Sequence, residues 1–224
     1  MEYYPNIAID LKTEKVDVKF KRLALTIDEA NKLLDFAEEK AKENIVSLRN
    51  YTIIYLILNI GLRTIECSRA DIEDIKQEGQ YFYLYVQGKG RTDKDESIRL
   101  EPSVLETVQE YIKARKTDSG PLFINHGHRK NQDRMEANTI GNMVQAYLKA
   151  VGLNAIEYTA HSLRHTCATI AIQRGANMEE VKQLLRHKSV DTTSIYTHMI
   201  NKMNNTSQTK VNEVLHRKAK KEQL

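Results

Sequence analysis

The sequence predicts a mostly α-helical fold with one small antiparallel β-sheet. Two observations carry that prediction. Apolar residues recur at helical spacing before residue 61 and again after residue 102. Between Ile72 and Leu100 the apolar period shortens to two, and aromatic and β-branched residues take over. A third observation bounds the size. The 224 residues fit one domain, or one domain with extended arms. With 41% hydrophobic and 29% charged residues the chain can form a core, and disorder throughout is excluded.

The elements follow in order. Residues 1–21 read as an N-terminal arm or the remnant of an interdomain linker, with an alternating stretch, Val16 to Phe20, that suits a short edge strand. Thr26 and Glu29 have the spacing of a capping box. Ile27, Ala30, Leu33, Leu34 and Ala37 then keep helical spacing to about residue 42. A more apolar helix is expected from about Leu48 to Ile60, ended by Gly61. Tyr81 to Val86 reads as a strand, Gln87-Gly88-Lys89-Gly90 as a turn, and Ser97 to Leu100 as the return strand. Helical pattern resumes after Pro102 to about Arg115. Asp118 to Pro121 is a loop, and the stretch 125–134 is polar. Further helices are expected at about 137–151, 160–174, 178–186 and 190–198. The tail, 201–224, has a polar spacer and a last short helix with Val211, Val214 and Leu215 as an apolar stripe. The division is thus an arm (1–21), a principal domain (22–200) and a tail (201–224).

Several function classes are disfavoured. No apolar run reaches the roughly 18 residues a spanning helix needs. The N-terminus, Met-Glu-Tyr-Tyr-Pro-Asn, lacks the basic start and apolar stretch of a signal peptide. The expected compartment is the cytoplasm, with no membrane partner. Cys67 and Cys167 make neither a disulfide framework nor a zinc set and read as buried thiols. Net charge is +4, from 34 basic and 30 acidic residues. Residues 202–224 carry six basic and two acidic side chains, so the rest of the chain is neutral overall. A nucleic-acid reading therefore has to rest on local clusters.

Three segments place polar residues where a core would not want them: Gly61-Leu62-Arg63-Thr64-Ile65-Glu66; Gly88-Lys89-Gly90-Arg91; and a pair of helices holding His161-Ser162-Leu163-Arg164-His165 and Leu185-Arg186-His187. On the helix near 161, Leu163, Cys167, Ile170 and Ala171 form the expected buried stripe. His161 and Arg164 share an adjacent face near the helix N-terminus, where free N–H groups favour an anion. A partly buried arginine paired with a glutamate, beside a hydrogen-bonded histidine, would explain that segment equally well.

Together these segments resemble the tyrosine recombinases, also called phage-type integrases. The resemblance lies in Gly61-Leu62-Arg63 with Glu66, in His161-x-x-Arg164-His165, and in Leu184-Leu185-x-His187 through Tyr196-x-His198. Lys89, between its glycines, matches the hairpin lysine of that family. The match spans about residues 22–200 in the expected order. Arg186 stands where the family commonly has glycine, and Lys188 and Ile65 stand where small polar residues are usual. Such recombinases usually carry an N-terminal helical domain that clamps the DNA. Here about twenty residues precede the pattern. Either an excised catalytic fragment or a naturally short relative is expected.

The resemblance implies a tyrosine-recombinase (DNA breaking-rejoining) catalytic-domain fold. It implies site-specific DNA recombination, integration or excision for a mobile element, through a 3′-phosphotyrosyl intermediate. The implied catalytic set is Arg63, Lys89, His161, Arg164, His187 and Tyr196, with Glu66 and His165 in support. Arg63 and Arg164 would hold the phosphate oxygens, and His187 would add a hydrogen bond. Tyr196 would be the nucleophile, His161 its base and Lys89 the general acid. Lys94 is a rival for the last role. Arg91, Arg129, Lys130, Arg186 and Lys188 are expected along the DNA backbone, with Arg134 in the same loop as two of them. No cofactor and no metal are expected, since two guanidiniums can balance the phosphate. His126 and His128 read as a surface loop, and Asp71, Glu73 and Asp74 as a solvated loop edge. The expected partners are double-stranded DNA, further copies of the chain (a tetramer on DNA, a monomer when free) and an accessory excision factor. Two alternatives are a regulator that kept the fold without catalysis and a type IB topoisomerase-like enzyme.

Overall fold

A computed structural model describes residues 23–87, 92–126, 133–154 and 156–186. The arm 1–21, the tail 201–224 and the helix expected at 190–198 lie outside the described residues. Within them the chain is mostly helical, with one three-stranded antiparallel sheet.

Helix α1 (Ile27–Ala41) begins with the expected capping box. Thr26 accepts from the Glu29 amide at 3.2 Å, and Glu29 reaches back to the Thr26 amide at 2.8 Å. Ala30, Leu33 and Ala37 form its buried face.

Helix α2 (Ile45–Ile60) is the centre of the domain and packs against four other helices, α1 among them. Ile53, Ile54, Leu56 and Ile57 are fully buried, each contributing on the order of 1.5–3 kcal/mol relative to exposure. The helix starts three residues before the expected Leu48, because the Asn44 side chain accepts from the Ser47 amide. That cap is easy to miss, since no Glu or Gln follows at the third position. Gly61 ends α2 in the left-handed region, φ 61°.

Short α3 (Thr64–Arg69) leads through a 3-10 turn at Ile72–Asp74 into the sheet. Strands β1 (Ile75–Glu78), β2 (Tyr81–Val86) and β3 (Glu96–Leu100) pair in that order. Register sets Phe82 opposite Leu100 and Leu84 opposite Ile98, so Leu84, Val86, Ile98 and Leu100 face the core.

Helix α4 (Pro102–Arg115) starts with proline in its first turn, where a missing N–H is harmless. Its Tyr111 stacks on Phe123 at 5.7 Å between ring centroids, and both are fully buried. Helices α5 (Ala137–Ala150), α6 (Ala160–Gln173) and α7 (Met178–Leu185) complete the described domain.

The buried face of α6 differs from the expected stripe. Leu163 and Cys167 are buried, but Ile170 and Ala171 only partly so. Ala168 and Ile172 take their place. The reason is that α6 has neighbours on two sides. One side meets α2, and the other forms a second apolar cluster with Val181 and Leu185 of α7. Among the described residues no helix is long and apolar enough to cross a membrane.

Candidate active site

The backbone turns sharply where α2 ends. A side chain at Gly61 would be strained by φ 61°, and its Cβ would sit 2.9 Å from the Leu185 side chain. This close approach brings the end of α2 against the end of α7. Two residues on, Arg63 precedes α3, and Glu66 lies in the first turn of that helix. The Arg63 amide donates to Glu66 Oε2 at 2.8 Å, and Arg63 Nη1 donates to Glu66 Oε1.

Glu66 is fully buried and organises the centre. Arg186 Nη2 donates to its Oε2 at 2.7 Å, and Arg164 Nη1 lies 3.8 Å from the same oxygen. Arg164, two per cent exposed on α6, also donates to the carbonyls of Gly61 and Leu185. Arg63 Nη2 reaches the carbonyls of Leu185 at 3.3 Å and Arg186 at 3.0 Å. Three guanidiniums thus surround one carboxylate at the C-terminal ends of two helices. Those ends carry partial negative charge, which favours cations there. Formally the cluster holds two positive charges in excess, a setting that attracts a phosphodiester.

Burial alone would push the Glu66 carboxyl up. The Arg186 charge and hydrogen bond, and then those of Arg63, outweigh burial and hold it below the usual carboxylate range. Arg63 keeps a quarter of its side chain exposed, whereas Arg164 and Arg186 keep three and five per cent. Arg63 is therefore the open edge of the cluster. Arg186, expected along the DNA backbone, points inward instead. It donates to Glu66, Gly61 O and Leu184 O, because its left-handed backbone (φ 51°) folds the side chain back over the end of α7.

His161 is exposed in the first turn of α6, where the Thr159 hydroxyl accepts from its amide. It lies one turn from Arg164, on the side where the helix offers free N–H groups. His165 is half-buried, and burial alone lowers its basicity. Lys89, Arg91, Arg129, Lys130, His187, Lys188 and Tyr196 lie outside the described residues, as does His128.

The expectation of a solvated edge holds for Glu73, which is exposed, and is corrected for Asp71 and Asp74, which are partly buried. Lys94 bridges Asp71 at 2.7 Å and Asp74, and Arg134 pairs with Asp71. Arg134 also donates to the carbonyls of Ser68 and Ala70 at 2.8 and 3.0 Å. Glu73 accepts from the Gly120 amide. The sequence places these acids beside one another, but their basic partners come from distant loops, which spacing cannot reveal. The same pairs hold Lys94, the rival to Lys89, and raise its basicity although burial opposes this. His126 Nε2 and the Tyr111 hydroxyl lie in hydrogen-bond contact at 2.9 Å. Burial, then the Arg49 and Arg115 charges, lowers its pKa to about 4.

Both cysteines are buried, and burial pushes the Cys167 thiol up to about 11. Among the described residues no three His, Cys, Asp or Glu side chains are grouped to hold a metal. Away from the arginine cluster, a groove of about 350 Å³ is lined by Tyr51, Tyr55 and Lys42 and by the carboxylates of Glu38, Glu106 and Glu110, which outnumber that cation. Its sign is wrong for a phosphate backbone.

Comparison with known proteins bears on the family and the fold. The model of the phage integrase family matches residues 24–203. The chain is 34% identical over 195 residues to tyrosine recombinase XerC of Caldanaerobacter subterraneus, covering 85% of this chain and 51% of that protein. It is 33% identical over 192 residues to tyrosine recombinase XerA of Pyrococcus horikoshii, covering 86% and 62%. The chain therefore spans about half to three-fifths of the length of these relatives. Among solved structures, XerA recombinase superposes with TM-score 0.62 and 26% identity, over 87% of this chain and 63% of that one. XerH site-specific recombinase, in a post-cleavage complex with its palindromic difH substrate, superposes with TM-score 0.69 over 84% and 53%. At 24% identity that second likeness speaks for the fold.

Proposed function

The chain belongs to the phage integrase family, and from that premise we propose that it cleaves and rejoins duplex DNA at specific sites through a 3′-phosphotyrosyl intermediate. The carrying observation is the convergence of Arg63 and Arg164, from separate segments, on the buried Glu66. A regulator without catalysis has no need of that arrangement.

The chemistry can be stated residue by residue. A phosphodiester carries one negative charge, and its pentavalent transition state carries more. Planar guanidiniums match the non-bridging oxygens two at a time. Donors aimed at developing charge are usually the largest catalytic term. Arg63 is already at the surface, and Arg164 holds the floor. Glu66 fixes Arg63 by charge and hydrogen bond and Arg164 by charge, without touching substrate.

Tyr196 is the proposed nucleophile. A free phenol, with pKa near 10, is ionised to about one part in a thousand at pH 7, roughly 4 kcal/mol short of a full nucleophile. The positive field of the cluster and His161 as base offset that deficit. His187 adds a hydrogen bond to the phosphate, and Lys89 protonates the leaving 5′-oxygen. The ester energy is kept in the protein–DNA bond, so no nucleotide cofactor takes part. A second DNA end then reverses the step. Arg91, Arg129, Lys130 and Lys188 remain proposed contacts to the DNA backbone. The same reading places the reaction in the cytoplasm, on a tetramer assembled on DNA with an accessory factor for excision. A C-terminal segment docked on the next copy would couple the sites.

The test is a duplex nicked near the cleavage site, incubated in EDTA and stopped with SDS. The wild-type chain should give a denaturant-resistant adduct. Tyr196→Phe should give none while still binding DNA. Arg164→Lys should lower adduct formation by about 10²–10³, because lysine cannot make the two-point contact. An adduct from Tyr196→Phe would contradict the reading.

A further inference from the structure

Arg186 is out of place by three measures. It is a non-glycine residue at φ 51°, a conformation glycine adopts without strain. Its side chain is five per cent exposed, which is rare for an arginine. Its Nε is buried and finds no hydrogen-bond partner among the described residues.

The contacts show what the side chain does. Nη1 holds Leu184 O at 2.7 Å, one turn-end carbonyl of α7. Nη2 holds Gly61 O at 3.0 Å, at the end of α2, and Glu66 Oε2 at 2.7 Å, in α3. One guanidinium thus ties three elements together. It also shares Glu66 with the other two arginines. Oε2 accepts Arg186 Nη2 beside the Arg63 amide, with Arg164 Nη1 at 3.8 Å, and Oε1 accepts Arg63 Nη1. The Arg63 guanidinium is thus held by one Glu66 oxygen and by the carbonyls of Leu185 and Arg186, with a quarter of its side chain still exposed.

We propose that Arg186 is a positioning residue: it clamps the end of α7 to the α2–α3 corner and takes one oxygen of Glu66, so that Arg63 presents its guanidinium to the DNA phosphate. The inference rests on the cleavage reading above. It goes beyond the arginine pair, since Arg186 acts through Glu66 and Arg63 and does not touch substrate. The next residue in the chain is His187, so the turn that Arg186 fixes is also the one from which that proposed catalytic group departs.

The groups facing Glu66 are Arg63 ahead of α3, Arg164 from α6 and Arg186 from the end of α7, with the Cys67 thiol next to it on α3. Arg186 is foremost among those that keep the carboxyl ionised against burial. Removing it should let that carboxyl rise, and the acid limb of cleavage with it.

The test compares wild type, Arg186→Gly, Arg186→Met and Arg186→Lys on the nicked duplex. Arg186→Gly loses the clamp but also relieves the left-handed backbone, so it should lose less melting temperature than Arg186→Met. Adduct formation by Arg186→Gly should nevertheless fall at least tenfold, with DNA affinity within about threefold, and its acid limb should move to higher pH. Arg186→Lys should recover part of the rate, because it keeps a charge near Glu66, and Arg186→Met should recover none. If Arg186→Gly cleaves at the wild-type rate with an unmoved acid limb, the inference is wrong. If wild type itself forms no adduct, the cleavage reading fails and takes the inference with it, a result the variants cannot imitate.

Discussion

Glu66 shows how one residue can set the chemistry of a site it never exposes. It is a buried carboxylate among three arginines. Glu66→Gln leaves those cations without their counter-charge, and breaking such a buried network costs about 3–5 kcal/mol. Urea unfolding at pH 7 should show that loss, together with slower adduct formation. The pH dependence has a definite sign. The folded carboxyl lies below its ordinary 4.5, so its contribution is present above that value and is lost as pH falls through the folded pKa. His126 works at higher pH. Its folded pKa of about 4 lies below its ordinary 6.5. The unfolded chain therefore takes the proton first, and stability falls from about pH 6.5 toward 4. His126→Asn should flatten that part of the stability profile, and an unchanged slope would remove His126 from it.

At the scale of elements, the site exists because helix ends meet. Gly61 stops α2 and lets α7 approach to contact. Gly61→Ala adds the cost of a left-handed backbone, roughly 1–2 kcal/mol, and pushes Leu185 away, a further 1–3 kcal/mol. Because Gly61 O receives both Arg164 and Arg186, the same variant should slow cleavage as well. Melting temperature and adduct rate, measured together, check this. Losing stability without rate would mean the carbonyl is not part of the site. Much of this level is legible in the sequence. The capping box of α1, the glycine end of α2 and the aromatic strand β2 each carry a local signal. The start of α2 does not, because Asn44 caps it without the usual acidic partner. The buried arc of α6 does not either, because a single apolar stripe cannot reveal that a helix is packed on two sides. The inward turn of Arg186 depends on a backbone angle that no spacing encodes. The ion pairs of Asp71 and Asp74 depend on loops brought together by the fold.

For the whole molecule, the arrangement concentrates positive charge where three segments meet, while the groove by Tyr51 and Tyr55 carries carboxylates. Among the described residues, charge is thus segregated, with an excess of cations at this junction and of carboxylates at the groove. The central claim is that Tyr196 becomes covalently joined to DNA beside this cluster. It is tested most directly by locating the bond. The SDS-stopped adduct is digested with nuclease and trypsin, and the modified peptide is identified by mass spectrometry. The expected result is a nucleotide mass on the peptide spanning 189–202, at Tyr196. A nucleotide on any other residue, or a cleaved duplex with no protein-bound nucleotide, would contradict the account.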